Sequence, residues 1–217
     1  MSNRIELYGD SISGNCYKLQ LACAQLDIDY TWHEIDILAG ESRTEKFLAM
    51  NPNGRVPLMA LPDGHYLSES NAILCYLADG SALAGDDRFE RANVLRWMFF
   101  EQYSHEPYIA TSRFIIQYLG RPEEREGDLE SRKGGGYMAL DVMEQELTDN
   151  DFIANDKYSI ADIALYAYTH VADEGGFDLG NYPQIEAWLE RVEMQDGFVG
   201  MKGSEPQGSD PNRLHRH

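Results

Sequence analysis

The sequence predicts an α/β domain followed by an all-α domain, and three observations predict it. Over the first eighty residues, stretches that alternate apolar and polar residues take turns with stretches whose apolar residues recur every three or four positions. Near residue 80 the composition shifts, and Gly80 to Asp87 is small and polar, as a linker is. Beyond it the patterning is helical almost throughout. Strands and a helix interleaved, then helices alone, place the sheet in the first domain.

Ile5 and Leu7 alternate with polar residues and predict a short strand. The polar turn Asp10 to Asn15 follows, and then Cys16, Leu19, Cys23 and Leu26 mark one apolar helix face. Tyr30 to Ile37 carries Tyr30, Trp32, Ile35 and Ile37, a strand composition. Gly40 to Met50 is polar and predicts a loop with a short helix. Arg55 to Leu61 reads as a strand, Asp63-Gly64 as a tight turn and His65 to Leu67 as the returning strand of a hairpin. From Glu69 the spacing of Ala72, Ile73, Tyr76 and Leu77 is helical. The order β-α-β, connector, β-β-α implies a parallel pair joined by a right-handed crossover and an antiparallel hairpin in the same sheet.

In the second domain a long helix is expected over Arg88 to Leu119, bent at Pro107 and stopped by Gly120-Arg121-Pro122. A second runs from Glu123 to Leu147 through Gly134-Gly135-Gly136, which costs roughly 1 kcal/mol per glycine against alanine. The triplet either admits close packing or breaks the helix. Ser159 to Ala172, opened by the capping box Ser159-Ile160-Ala161-Asp162, and Tyr182 to Val192 complete the set. Gly200 to His217 has almost no apolar content and is expected to be a loose tail. The domains are therefore 1–80, 87–199 and the tail 200–217.

The 217 residues are 43% hydrophobic and 25% charged, ordinary for a soluble globular chain able to bury a core without disulfides or metal. With 18 basic and 37 acidic residues the net charge is −19, which argues against nucleic-acid and anionic-membrane partners. An anionic ligand must be held by a local exception to that field. No apolar run is long enough to span a bilayer, and the first ten residues lack the features of a secretory leader. Cys16, Cys23 and Cys75 are an odd number without metal-ligand spacing, which suits reduced thiols in the cytoplasm. His170 and Asp173 lie within one turn, but two ligands without a third make no metal site, and they read as a surface pair.

Four features of the first domain converge on one kind of ligand. Ser11, Ser13 and Asn15 sit at the head of the first helix, where amides and about half a positive charge favour an anion. Such residues are also ordinary N-caps. Val56-Pro57 opens a strand with a residue that cannot donate to the ladder. A cis bond there would turn the Val56 backbone outward to pair with an extended peptide. Glu69 and Ser70, at the next helix start, can grip an ammonium and a carboxylate, hence an amino-acid zwitterion. Arg43 and Arg55 are basic residues in an acidic domain and can receive a second carboxylate, although a lone arginine is usually solvated.

The segments Ser13-Gly-Asn-Cys-Tyr-Lys18, Asn51-Pro-Asn-Gly-Arg-Val-Pro57 and Glu69-Ser-Asn-Ala-Ile73, with the Ser159–Asp162 box, resemble those of cytosolic glutathione S-transferases in order and spacing. The resemblance spans about residues 4 to 199. It implies a thioredoxin-like domain that binds glutathione as co-substrate, an all-helical domain forming the electrophile pocket, a cytoplasmic homodimer, a role in detoxification and no metal. It implies that Val56 pairs its backbone with the cysteinyl unit, with Pro57 cis. Glu69 and Ser70 then hold the γ-glutamyl end. Arg55, with Ser42 or Arg43, meets the glycyl carboxylate, and Ser13 donates its hydroxyl to the sulfur. Ser11 rivals Ser13, and Asn15 is a second donor. Tyr8 lies within the first strand and is not assigned.

The Ser13-Gly14-Asn15 turn is closest to serine-type theta-like or nu-like bacterial members. In nu-like proteins a similar Thr-Pro-Asn turn goes with disulfide reduction. Tyr103, Tyr108 and Arg113, in the aromatic stretch of the first long helix, are the candidate contacts for the second substrate, although aromatic residues on a helix are more often core. Three functions follow: a transferase acting on a small electrophile, a glutathione-dependent disulfide reductase on the same fold, and a binding protein that has lost the chemistry.

Overall fold

A computed structural model of the chain describes residues 4–202. The first domain is a four-stranded mixed sheet with strand order β2-β1-β3-β4. Strand β1 (Ile5–Gly9) runs parallel to β2 (Tyr30–Glu34), with Ile5 opposite Tyr30 and Gly9 opposite Glu34. Helix α1 (Gly14–Gln25) makes the crossover between them. Helix α2 (Glu45–Met50) and a loop lead to β3 (Leu58–Ala60), antiparallel to β1, and to β4 (Tyr66–Ser68), antiparallel to β3. Helix α3 (Ser70–Leu77) closes the domain, which has the expected thioredoxin-like arrangement. The Asp63-Gly64 turn forms as expected, with Gly64 at φ 93°.

Two strands are shorter than the pattern suggested. Strand β2 ends at Glu34 rather than Ile37, because Asp36 folds the chain into a turn: its N–H donates to Glu41 and its carboxylate accepts the Ala39 N–H. Strand β3 begins at Leu58 rather than Arg55, because Pro57 has no N–H for the ladder and the Val56–Pro57 bond is cis.

The second domain is helical. The helix expected over 88–119 is divided into α4 (Arg88–Phe100) and α5 (Glu106–Arg113), each followed by a π-helical turn, Glu101–His105 and Phe114–Tyr118. Pro107 accounts for the first turn: it offers no N–H and its ring would strike the carbonyl four residues back. The ladder widens instead, and the Glu106 N–H reaches the Glu101 carbonyl. Helix α6 (Glu126–Leu147) runs unbroken through the glycine triplet. Gly135 lies against the Tyr108 ring and Gly136 against Phe177, so the triplet admits close packing.

Helix α7 (Ile160–Thr169) starts with the capping box: Asp162 accepts the Ser159 N–H at 2.9 Å, and the Ser159 hydroxyl accepts from Ala161 at 3.2 Å. Helix α8 (Pro183–Glu193) follows. The core is continuous across both domains, since α1 packs on α3 from its own side and on α7 from the other. His170, read as half of a surface pair, is instead buried and stacks on Tyr166 with ring centroids 4.5 Å apart. Met201 is also buried, so the chain stays packed past residue 200, and most of the expected tail lies outside the described residues. Among the described residues the three cysteines are free, no metal-binding cluster forms, and no helix is long and apolar enough to cross a membrane.

Candidate functional site at the heads of helices α1 and α3

The turn before α1 is built by Asp10. Its carboxylate accepts the Ile12 N–H at 3.0 Å and its carbonyl accepts the Ser13 N–H at 3.0 Å. Ser13 becomes the N-cap in extended geometry, yet its side chain makes no capping bond. The first turn of α1 holds no acidic residue, so the helix does not cancel its own positive end. The Ser13 hydroxyl lies beside the Cys16 thiol and the Tyr168 phenol. Cys16 is fully buried, and burial pushes its thiol up to about 12, so it stays protonated at neutral pH.

The two rivals of Ser13 are engaged. Ser11 donates its N–H to Glu34 at 2.8 Å. Burial works to raise the Glu34 carboxyl, but hydrogen bonds from the Trp32 indole and from the Ser11 amide and hydroxyl hold it below the usual range. Asn15 donates its side-chain N–H to Glu106 at 3.0 Å and accepts the Ser70 hydroxyl at 3.1 Å.

The loop before β3 presents Val56. Among the described residues neither its N–H nor its C=O has a hydrogen-bond partner. Asn51, buried, holds this loop by donating to the Arg55 carbonyl at 2.8 Å and accepting the Asn53 N–H at 3.2 Å. Arg43 donates to the Asn53 carbonyl at 3.0 Å, so its guanidinium braces the loop, while Arg55 is exposed. Ser42, directly before Arg43, is buried.

At the head of α3, Glu69 adopts φ 70°, ψ 111°. A non-glycine residue held there costs on the order of 1–3 kcal/mol. The result is an exposed carboxylate beside the buried Ser70. Beneath Ser70 lies an ion pair, Lys18 Nζ to Glu101 Oε1 at 2.9 Å, with both side chains 0% exposed. Asn71 bridges it, accepting from Lys18 at 3.3 Å and donating to Glu101 Oε2 at 2.8 Å. Burial pushes the Glu101 carboxyl up, and the Lys18 charge works against that rise. The network joins the heads of α1 and α3 to the π turn of the helical domain.

Ser11, Ser13, Asn15 and Ser70 are therefore brought together. The candidate second-substrate residues are not. Tyr103 is 85% exposed. Tyr108 packs on α6. Arg113, buried, donates to the Ile12 carbonyl at 2.8 Å and pairs with Glu174 at 2.7 Å, so it braces the α1 turn. The helical domain also brings Glu106 and Tyr168 to the α1 head. Sequence reasoning missed these two and the Lys18–Glu101 pair. A lysine interrupting the apolar run Cys16–Leu19, and an acid directly after the Trp97–Phe100 stretch, are the signals that mark a buried pair. A cavity of about 430 Å³ lined by Gln20, Cys23, Tyr30 and Val199 lies at the other end of α1 and shares no residue with this site.

Known proteins of one family match this chain in sequence and in fold. Residues 12–79 match the family model for the glutathione S-transferase N-terminal domain and residues 96–196 that for the C-terminal domain. A crystal structure of a glutathione S-transferase from Pseudomonas fluorescens is 54% identical, covers 91% of this chain and 98% of its own, and superposes with a TM-score of 0.89. Glutathione S-transferase F10 of Arabidopsis thaliana is 33% identical over 73% of this chain and 78% of its own. The disulfide-bond oxidoreductase YfcG of Escherichia coli is 26% identical over 82% and 85%.

Proposed function

The chain belongs to the glutathione S-transferase family, and we propose that it is a glutathione-dependent enzyme in which the Ser13 hydroxyl holds the glutathione sulfur as thiolate for attack on a small electrophile. The observation that carries this reading is the division of labour at the α1 head. Glu34 holds Ser11, Glu106 and Ser70 hold Asn15, and Ser13 makes no capping bond. A thiol of pKa near 8.5 is only a few per cent ionised at neutral pH. Lowering it by about two units stabilises the thiolate by roughly 2.7 kcal/mol. One hydroxyl donor to an anion supplies ~1.5–3 kcal/mol and the helix end roughly 0.3–1 kcal/mol more. Those contributions suffice without a general base, and the thiol proton passes to water. The thiolate electron pair then forms the new bond to carbon while the leaving group departs with its own pair.

The rest of the tripeptide is gripped as a zwitterion at one end and a carboxylate at the other. Glu69 meets the ammonium, and its strained backbone supports this role. Ser70 meets the α-carboxylate, and the unpaired Val56 backbone meets the cysteinyl unit. Arg55 meets the glycyl carboxylate, with Arg43 and Ser42 behind it. Arg113 fixes the Ser11–Ser13 turn. A homodimer is supported by exposed apolar side chains on α3 and α4 and in the turn beyond, Tyr76 at 51%, Phe99 at 71% and Tyr103 at 85%.

Disulfide-bond reduction is the second reading, favoured by the Ser13-Gly14-Asn15 turn and by the name of the Escherichia coli relative. The same thiolate would attack a disulfide sulfur, forming a mixed disulfide and expelling the other thiolate. Loss of the chemistry fits poorly with a strained, exposed Glu69.

Purified protein assayed with a chloronitroaromatic acceptor and with hydroxyethyl disulfide separates the readings. Ser13→Ala is expected to lower turnover by more than about tenfold, a loss of roughly 1.4 kcal/mol of transition-state stabilisation, with little change in glutathione affinity. An undiminished rate overturns the Ser13 assignment, and activity on the disulfide alone replaces the transferase reading with the reductase.

A further inference from the structure

Gly14, in the middle of the Ser13-Gly14-Asn15 turn, is where the helical domain enters α1. A Cβ there would lie 2.6 Å from Cε1 and 2.7 Å from Cζ of Tyr168, and 2.7 Å from the Ala167 carbonyl oxygen. The glycine is needed for space. Through that gap Tyr168, at the end of α7 and 7% exposed, receives the Asn15 N–H on its phenol oxygen at 3.2 Å. The Ser13 hydroxyl lies beside the same phenol.

The phenol keeps its proton at neutral pH, because burial pushes its ionisation well above the usual tyrosine range. That proton needs an acceptor. The groups facing the phenol are Glu106 from α5, Cys16 and Lys18 from α1, Tyr118 from the turn after α5, and Ser13. Lys18, with its Nζ 5.9 Å from the ring centroid, has only donors and makes the phenol a stronger donor. Protonated Cys16 is a weak acceptor. The Glu106 carboxylate, which accepts from the side-chain amides of Asn15 and Gln102, and the Tyr118 phenol face Tyr168 beyond hydrogen-bond range, whereas the Ser13 hydroxyl is within it. The Ser13 oxygen remains.

We propose that Tyr168 is a positioning residue that acts through Ser13: the Asn15 N–H donates to the Tyr168 oxygen, Tyr168 O–H donates to the Ser13 oxygen, and the Ser13 proton is thereby aimed at the sulfur. The proposal rests on the reading of Ser13 as the thiolate donor. A hydroxyl that accepts one hydrogen bond becomes a better donor in the next, so the chain strengthens its last link. The helical domain then sets the thiol chemistry of the first domain as well as walling the electrophile pocket.

Tyr168→Phe keeps the ring in the Gly14 gap and removes only the hydroxyl. The test is an ultraviolet titration of bound glutathione thiolate in four proteins: wild type, Tyr168→Phe, Ser13→Ala and the double variant, with affinities from calorimetry. Tyr168→Phe is expected to raise the thiolate midpoint by about one pH unit, tenfold in ionisation, with glutathione affinity changed by less than about twofold. In the Ser13→Ala background the second substitution is expected to add nothing, because the two groups act in series. An unmoved midpoint in Tyr168→Phe overturns the relay while leaving Ser13 in place. A further shift in the Ser13→Ala background also overturns it and puts the phenol directly on the sulfur. Wild type that binds no glutathione overturns the functional reading and the relay together.

Discussion

His105 illustrates how one residue reports on the whole interior. It is 0% exposed, and its Nε2 lies 2.9 Å from Thr169 Oγ1, whose own proton goes to the Leu165 carbonyl at 2.8 Å. The threonine oxygen is thus the acceptor, and Nε2 carries the imidazole proton. Nδ1 has no partner among the described residues. Burial, helped by the Lys18 charge, pulls the pKa down to about 3. The unfolded histidine titrates near 6.5, so below that pH the unfolded chain takes up a proton that the folded chain refuses. Stability therefore falls as pH drops from 6.5 toward 3. His170, lowered to about 4 by burial, acts in the same sense, and Asp162, raised to about 6 by burial, acts in the opposite one. Comparison with His105→Gln isolates one contribution. In urea titrations the stability advantage of wild type over the variant is expected to shrink by about 2 kcal/mol between pH 8 and pH 5. A constant difference would mean that His105 is charged in the fold. Ser13, Glu69 and Ser70 were legible in the sequence because each marks a helix start, a local event. Tyr168 and Asn15 are 153 positions apart and Lys18 and Glu101 are 83 apart, so no local pattern announces either contact.

At the scale of elements, α6 offers the sharper experiment. Its three consecutive glycines have equal helix propensity and unequal surroundings. A Cβ on Gly134 meets nothing, one on Gly135 meets the half-buried Tyr108 ring, and one on Gly136 meets the buried Phe177 ring. Gly134→Ala is therefore expected to stabilise by ~0.4–1 kcal/mol through helix propensity and unfolded-state entropy. Gly136→Ala is expected to destabilise by ~1–3 kcal/mol through overpacking, with Gly135→Ala between the two. Denaturant unfolding of the three variants checks the order, and three equal gains would mean that the close packing does not constrain the helix. The elements themselves were legible where their cause is local: the Asp63-Gly64 hairpin and the Ser159–Asp162 cap are written within four residues. The two π turns were not, because a widened ladder leaves the apolar spacing of Leu95 to Tyr118 nearly intact. What the turn changes is direction, and at Glu101 it aims an acid inward at Lys18.

At the scale of the whole molecule, the net charge of −19 opposes both the compact state and an anionic ligand. The site answers with the uncancelled positive end of α1 and with Arg43 and Arg55 at the loop, since Lys18 and Arg113 are each paired with an acid. The remaining acids repel one another at a range set by salt. A chain of 217 residues has a radius of gyration of roughly 17 Å. The screening length is about 30 Å at 0.01 M salt and about 8 Å at 0.15 M. At low salt every carboxylate therefore feels the whole molecule, and at moderate salt only its neighbours. Attractive surface pairs such as Arg121–Glu126 at 2.6 Å and Lys157–Glu90 at 2.7 Å act over much shorter distances and lose less to this screening, and as exposed pairs they contribute little to the fold. Repulsion is the long-range term, so salt removes more of it than of the attraction. Scanning calorimetry is expected to show Tm rising between 0.01 M and 0.15 M sodium chloride, by a few degrees for each ~1 kcal/mol of repulsion relieved. A falling Tm would mean that the ion pairs, and not the excess of acids, govern the electrostatic balance of the fold.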